Sequence, residues 1–323
     1  MKQNYNNKTK LRSAWFALVL LMLTALPITA QNAGDRFQVG ILWYEVVDAT
    51  KHTVKVTYAN ENLDKAKARQ LEFDKNLDYV NNGTRGGDDK ADGTYKGYSG
   101  TLNNTITIPE KVTYQSKDWT VTAIGTCAFI NERGTYDGNA KKAIQVNFVL
   151  PSTIEHIEEA AFYQAYACTI NFPEGLKTIG RQAFYRSVVG YYYTYRNTKF
   201  RRGVTKKPTV TITIPGQTAI GPQAFELCST AGAALSCPNI RYLGYQAFKG
   251  SGFLTEVPKS ANLGVKPEDT DTEITDLYKT LPGVDQRSGV EAFAESKATS
   301  VTLQDGITTI PTGMFENAFK ELA

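Results

Sequence analysis

Ile212-Thr-Ile214-Pro215-Gly-Gln-Thr-Ala-Ile220-Gly221-Pro-Gln-Ala224-Phe225 is one phrase of a repeat, and Ile170-Asn-Phe172-Pro173-Glu-Gly-Leu176-Lys-Thr-Ile179-Gly180-Arg-Gln-Ala183-Phe184 is another. The ending recurs: IGTCAF closes at Phe129, IEEAAF at Phe162, LGYQAF at Phe248, SGVEAF at Phe293 and the weaker IPTGMF at Phe315. Ile106-Thr-Ile108-Pro109 and Phe148-Val-Leu150-Pro151 repeat the opening. From Phe129 onward the phenylalanines are 33, 22, 41, 23, 45 and 22 residues apart, so the base period is 22–23 and three gaps carry extra sequence. A period of this size marks stacked structural repeats. The 45-residue gap predicts a worn unit, with Leu254-Thr-Glu-Val257-Pro258 as strand, Leu263-Gly264 as turn and Glu268 in the Phe slot. Counting it gives about eight units over residues 101–323.

The spacing explains one unit. An alternating apolar phrase of four or five residues is a short strand with one face inward. Proline ends it, because it removes a ladder donor. Leu176 or Ile154 then supplies a second inward residue, the Ile-Gly pair turns the chain on a glycine free of side-chain restraint, and Ala-Phe closes the unit with its ring inside. One unit cannot bury its own apolar face, whereas stacked units can. Phe129, Phe162, Phe184, Phe225, Phe248, Phe293 and Phe315 are therefore core, not a ligand-binding aromatic stripe.

The phrase I-x-I-P-x-x-V-x-x-I-G-x-x-A-F resembles the BspA-type leucine-rich repeat, a family known from surface and exported proteins of host-associated anaerobic bacteria. The likeness runs over about residues 100–323. It implies a repeat solenoid, β-rich with short helical turns and a parallel sheet, that holds proteins or glycans; some relatives are adhesins for host matrix proteins. It also implies buried structural thiols: the family often has Cys three residues after Phe, a position Cys228 matches and Cys168 lies near. The family has no shared catalytic residues to carry over. This chain departs from the pattern at Glu268, at Ser288 in the Ile slot and in its long insertions.

Outside the repeats, the first 30 residues read as a signal peptide. Lys2, Lys8, Lys10 and Arg12 precede a 13-residue apolar run, residues 14–26, that is broken by Pro27, with Ala30 before the cleavage point. Such a run is short for a membrane span and suits export. Export places the protein outside the cell, at its surface or in a periplasm. No later segment is long and apolar enough for a transmembrane helix. Of 36 basic and 32 acidic residues, four basic ones fall in the first 30, which leaves a mature chain with 32 of each sign and no general pull toward nucleic acid. Four cysteines, Cys127, Cys168, Cys228 and Cys237, make neither a disulfide framework nor a metal spacing. Residues 31–100 form an amino-terminal β capping module, with strands at Phe37–Val39, Ile41–Tyr44 and Thr53–Tyr58. The glycine-rich acidic stretch from Asn81 to Gly93 does not follow an EF-hand order and reads as a solvated loop. Val112–Tyr114 and Trp119–Val121 read as a hairpin around a four-residue loop, Gln115–Asp118. At the carboxyl end, residues 314–319 make a short helical cap, or the chain is a truncated form of a longer protein.

The insertions after Phe129 and Phe184 leave the repeats on one edge, where a repeat protein often places its binding face. The second carries Tyr191, Tyr192, Tyr193, Tyr195, Arg196, Lys199, Arg201 and Arg202, followed by Lys206 and Lys207. Nine basic residues lie from Lys177 to Lys207, and no Asp or Glu occurs between Glu174 and Glu226. Arginine pairs bidentately with carboxylate or sulfate, and tyrosine offers flat contact area at low entropy cost. The candidate ligand is an acidic glycan or an acidic protein face; the plain alternative is a solvated loop without a partner. Glu268, Asp269, Asp271, Glu273 and Asp276 offer a weaker idea, pairing with the basic loop of a neighbouring molecule.

Enzymatic chemistry has little to stand on. His52 and His156 lie far apart in sequence without a nucleophile motif, and Glu155, Glu158 and Glu159 share one turn, whereas paired catalytic carboxylates need opposed positions. No cofactor or metal is expected. Remaining readings are a structural spacer or assembly subunit at the cell surface, and the non-catalytic part of a longer exported enzyme.

Overall fold

The computed structural model describes the chain apart from residues 1–30, 59–103, 130–145, 164, 190, 196–203, 209–211, 230–234, 238–239, 253–255, 258–261, 280, 282, 297–301, 304 and 319–323. The expected signal peptide, the 81–93 stretch read as a solvated loop and the insertion after Phe129 lie outside the described residues.

Among the described residues the first five units each contribute a first strand, a second strand and a turn, the last two only a first strand and a turn, and each part stacks on its counterpart in the next unit. The second strands form the longest ladder: Lys117–Ile124, His156–Ile157, Thr178–Ile179, Ala219–Ile220 and Tyr242–Leu243 pair in parallel, in that order. The first strands pair in parallel too. Asn104–Thr107, Val146–Val149, Tyr166–Ile170 and Val188–Val189 make one run. Ile212–Thr213 pairs with Leu235–Ser236, and Glu256–Val257 with Thr302–Leu303.

The turns carry the third ladder. Rings stack in the order Phe129, Phe162, Phe184, Phe225, Phe248, Phe293 and Phe315, with centroids 4.9–5.9 Å apart and planes within 17° of parallel. The first six rings are fully buried, as are the alanines before them. Each Phe amide from 129 to 293 donates to the carbonyl of the residue before the next ring, at 2.7–2.9 Å. The residue two places before each Phe also donates forward, and it does so in the left-handed conformation: Cys127, Ala160, Gln182, Gln223, Gln246 and Glu291 have φ between 50° and 58°. The glycine of the Ile-Gly pair is needed for a different reason from the one the sequence suggests. A Cβ at Gly180 would stand 2.6 Å from the Glu158 carbonyl carbon, and one at Gly244 would stand 2.5 Å from that of Gly221. Close approach of neighbouring units, not an unusual backbone angle, excludes side chains there.

The worn unit is corrected. Phe248 stacks directly on Phe293, so Glu268 occupies no rung and the described ladder has seven rings. Residues 265–287 are an excursion from one long unit. Its two roots meet, Gly264 N donating to Ser288 O and Ser288 N to Val265 O. Leu263 enters the core beside Gly289, and Ser288 Oγ accepts from Leu243 N at 3.1 Å, so together they replace the missing isoleucine. The hairpin of the first unit is tighter than its sequence suggests: Lys111–Tyr114 and Lys117–Ile124 enclose only Gln115 and Ser116, at φ 49° and 62°. Positive φ at both central residues gives the strand twist that favours a two-residue turn. Thr312–Asn317 makes an ordinary repeat turn, not a helical cap.

Arg36–Val39, Leu42–Asp48 and Thr53–Thr57 form an antiparallel sheet, and Thr53–Thr57 pairs in parallel with Lys117–Ile124. The module thus continues the second ladder and covers its first edge. Lys55 binds Glu45 at 3.3 Å and Glu158 at 3.1 Å across the junction, while Glu158 also accepts from Thr126 N and Oγ1.

Candidate functional site

The inserted tyrosines form a strand. Tyr191–Tyr195 pairs antiparallel with Val204–Pro208, in a register that sets Tyr192 opposite Lys207, Tyr193 opposite Lys206 and Tyr195 opposite Val204. Tyr191, Tyr193 and Tyr195 therefore occupy alternate positions. Arg196, Lys199, Arg201 and Arg202 lie outside the described residues, between the two strands. Tyr191–Tyr195 is a β-prone aromatic run, whereas Val204–Pro208, with two lysines and a proline, is drawn into the hairpin by pairing with it.

The hairpin interrupts the first ladder rather than following it. Val188–Val189 pairs with Tyr166–Ile170, and after the hairpin Ile212–Thr213 pairs with Leu235–Ser236. A strand that would be continuous is split, so the hairpin grows out of the sheet with both stems fixed by ladder hydrogen bonds.

The excursion sits elsewhere. Its short helix Thr272–Thr275, capped by Asp271, and the 3-10 turn Asp276–Tyr278 lie over the outer face of the second ladder. Ile274 and Tyr278 bury Ala219 and Tyr242 there, and the Tyr242 and Tyr278 hydroxyls bond to each other. Glu273 pairs with Arg241 at 2.7 Å, Asp269 with Lys266 at 3.3 Å and Asp276 with Lys279 at 2.6 Å. These acids thus have partners within the excursion and the strand beneath it, which weakens their assignment to a neighbouring molecule.

A polar line that the residue pattern shows only as Gln before Ala-Phe runs along the turns. Gln182 Nε2 donates to Gln223 Oε1 at 3.0 Å, Gln223 to Gln246 at 3.2 Å and Gln246 to Glu291 at 2.7 Å. Beside it Tyr163 stacks on Tyr185 with centroids 5.0 Å apart, the Arg186 guanidinium lies over Tyr185, and Lys249 pairs with Glu295 at 3.5 Å. Glu226 lies among them. Burial pushes its carboxyl up to about 7, against the pull of Lys249 and Arg186.

His156 and His52 are apart, as their sequence positions suggest. His156 shares a 2.9 Å hydrogen bond with Thr178 on the second ladder, and burial lowers its pKa. His52 rests 5.1 Å from the Trp119 ring. Cys127, Cys228 and Cys237 are buried. Cys228 belongs to a column of small buried residues three places after each ring Phe from Phe162 onward, with Ala165, Ser187, Ser251, Ser296 and Ala318. Among the described residues no group of three or more His, Cys, Asp or Glu is placed to hold a metal, and no helix is long and apolar enough to cross a membrane.

The profile of the BspA type leucine-rich repeat region matches residues 140–199 and 205–321, in six copies. The chain belongs to the BspA-type leucine-rich repeat family. The match covers more than half the sequence and starts after the first ring, Phe129, which nonetheless stacks as the others do. Its break, between residues 199 and 205, falls inside the hairpin. No curated protein matches significantly. Similar solved structures include the pneumococcal vaccine antigen PcpA, at 20% identity and TM-score 0.39, covering 71% of this chain and 51% of that one. A leucine-rich repeat protein from Bacteroides ovatus is 18% identical at TM-score 0.34, covering 71% of this chain and 48% of that one. A leucine rich cell surface protein from Faecalibacterium prausnitzii is 16% identical at TM-score 0.38, covering 90% and 76%. The chain thus spans about half the length of the first two.

Proposed function

We propose that this BspA-type protein is an exported, non-enzymatic solenoid that binds an anionic partner outside the cytoplasm, a protein or a glycan, through the hairpin Tyr191–Pro208. The observation that carries the reading is the register that sets Tyr192 and Tyr193 opposite Lys207 and Lys206, in a stretch with no acid between Glu174 and Glu226. Tyrosine contact area beside lysine suits carboxylate or sulfate groups. The parallel pairing and the stacked rings support a solenoid, and the signal-like residues 1–30 support export. A rigid stack with a rooted hairpin is pre-organised, which reduces the ordering cost of binding.

The test is to present the protein and a variant lacking residues 190–208 to an array of sulfated and neutral glycans and matrix proteins. Salt-sensitive binding lost in the variant supports the reading. Equal binding by both moves the site to the strand ladders. Silence from both favours a spacer at the cell surface.

A further inference from the structure

One side of the hairpin lies beside a ladder strand, and no described strand pairs with the other. Tyr191–Tyr195 runs beside the first-ladder strand Tyr166–Ile170, within 8 Å between Cα atoms. Among the described residues Val204–Pro208 pairs with Tyr191–Tyr195 alone. Its outer edge therefore presents backbone donors and acceptors that no described strand satisfies. Such an edge is a template for another extended chain. A two-stranded ribbon is also marginal by itself, and a third strand is what stabilises it.

Lys206 and Lys207 sit in the middle of this edge, where lysine commonly repels unwanted strands. Pro208 ends the edge, since it lacks the amide needed to carry the ladder on. A neutral or basic strand is thus disfavoured, while an acidic one meets both backbone partners and opposite charge. Resting on the reading of this hairpin as the recognition element, we infer that its preferred partner is an extended acidic segment of another protein, added as a third strand along Val204–Pro208. In such strand addition the main chain supplies affinity and alternate side chains supply selectivity.

N-methylation separates backbone pairing from charge. The probe is a fluorescein-labelled nonapeptide of alternating Asp and Val, read by fluorescence polarisation, with variants N-methylated on the Asp amides or on the Val amides. Only one alternate set of amides in an added strand faces the edge. The expected result is a tenfold or greater loss for one methylated set, retention within about threefold for the other, and weaker binding to a Lys206→Ala, Lys207→Ala protein. Equal losses or equal retention for the two sets overturn strand addition while leaving charge-driven recognition intact. Binding of a sulfated oligosaccharide without binding of the peptide also overturns it and leaves the hairpin as the site. If neither probe binds, both the strand addition and the hairpin reading fail.

Discussion

Phe248 lies on Phe293 with ring centroids 5.3 Å apart and planes 6° from parallel, although 45 residues separate them. The separation equals that between Phe129 and Phe162, also 5.3 Å, which are only 33 residues apart. Ring stacking and the Phe-amide hydrogen bonds therefore define the unit, whatever length of chain lies between. From this follows the expected behaviour of the rings. Phe184→Ala should destabilise by about 3–5 kcal/mol, as for a core Phe, measured by urea unfolding. Phe315→Ala should cost less, because that last ring is only partly buried. A larger loss at Phe315 than at Phe184 contradicts the ladder as its structural spine.

Glycine at the unit junction is set by the neighbouring backbone. A Cβ on Gly244 would lie 2.5 Å from the Gly221 carbonyl carbon and the Pro222 nitrogen, and neither can swing aside. Gly244→Ala should therefore cost about 1–3 kcal/mol or more, the range for overpacking. Gly175→Ala, whose Cβ would meet only Ser152 O at 3.5 Å, should cost far less. Melting temperatures of the two variants decide it.

Much of this was legible in the residues. The period, the inward phase of the seven rings and the amino-terminal module follow from patterns that burial enforces at every unit. The unit count was not legible at Glu268, because Leu263-Gly264 does occupy the repeat position and only the chain's departure after it hides the true rung. The reason for glycine was not legible either: backbone proximity between units leaves no mark on one phrase. For the site, the aromatic and basic composition of the insertion was legible, whereas its pairing as a hairpin was not, because Val204–Pro208 lacks a strand composition, and the split of the first ladder at Val189 and Ile212 depends on pairing with strands remote in sequence.

Glu226 should give the protein a pH dependence. Its carboxyl is raised from the ordinary value to about 7 by burial, and Oε2 has no hydrogen-bond partner. The folded form then holds a proton that the unfolded chain releases near pH 4.5. This contribution to stability is fully present below that pH, declines as pH rises through about 7, and is flat above. The shift sets an upper bound of about 3 kcal/mol. Glu226→Gln should flatten this decline and raise stability at pH 8, as read by urea midpoints from pH 4 to 8. An unchanged pH slope in the variant counts against a buried carboxylate there.

Ser288 takes the place of an isoleucine because its hydroxyl accepts the Leu243 amide in a fully buried position. Ser288→Ala should cost about 1–3 kcal/mol, the penalty for an unmatched buried donor. Ser288→Ile, despite restoring the repeat residue, should not recover that loss, since Leu263 already fills the adjoining space. Recovery by isoleucine would show that the excursion yields to the repeat.

The hairpin should be separable from the fold. Both stems end in ladder strands, and among the described residues its own strands pair only with each other. Joining residues 189 and 212 through a short Gly-Ser link should shift the melting temperature by no more than a few degrees, by calorimetry. A collapse of stability would make the hairpin a structural clamp rather than a binding element.

The most direct measurement is the affinity of the protein and of its Lys206→Ala, Lys207→Ala variant for one anionic ligand from the array, titrated at low and high salt. The account predicts clear binding at low salt, weakening as ionic strength rises, and a variant that binds at least tenfold more weakly with a shallower salt dependence. Equal affinity and equal salt dependence for the two proteins would contradict recognition through the hairpin.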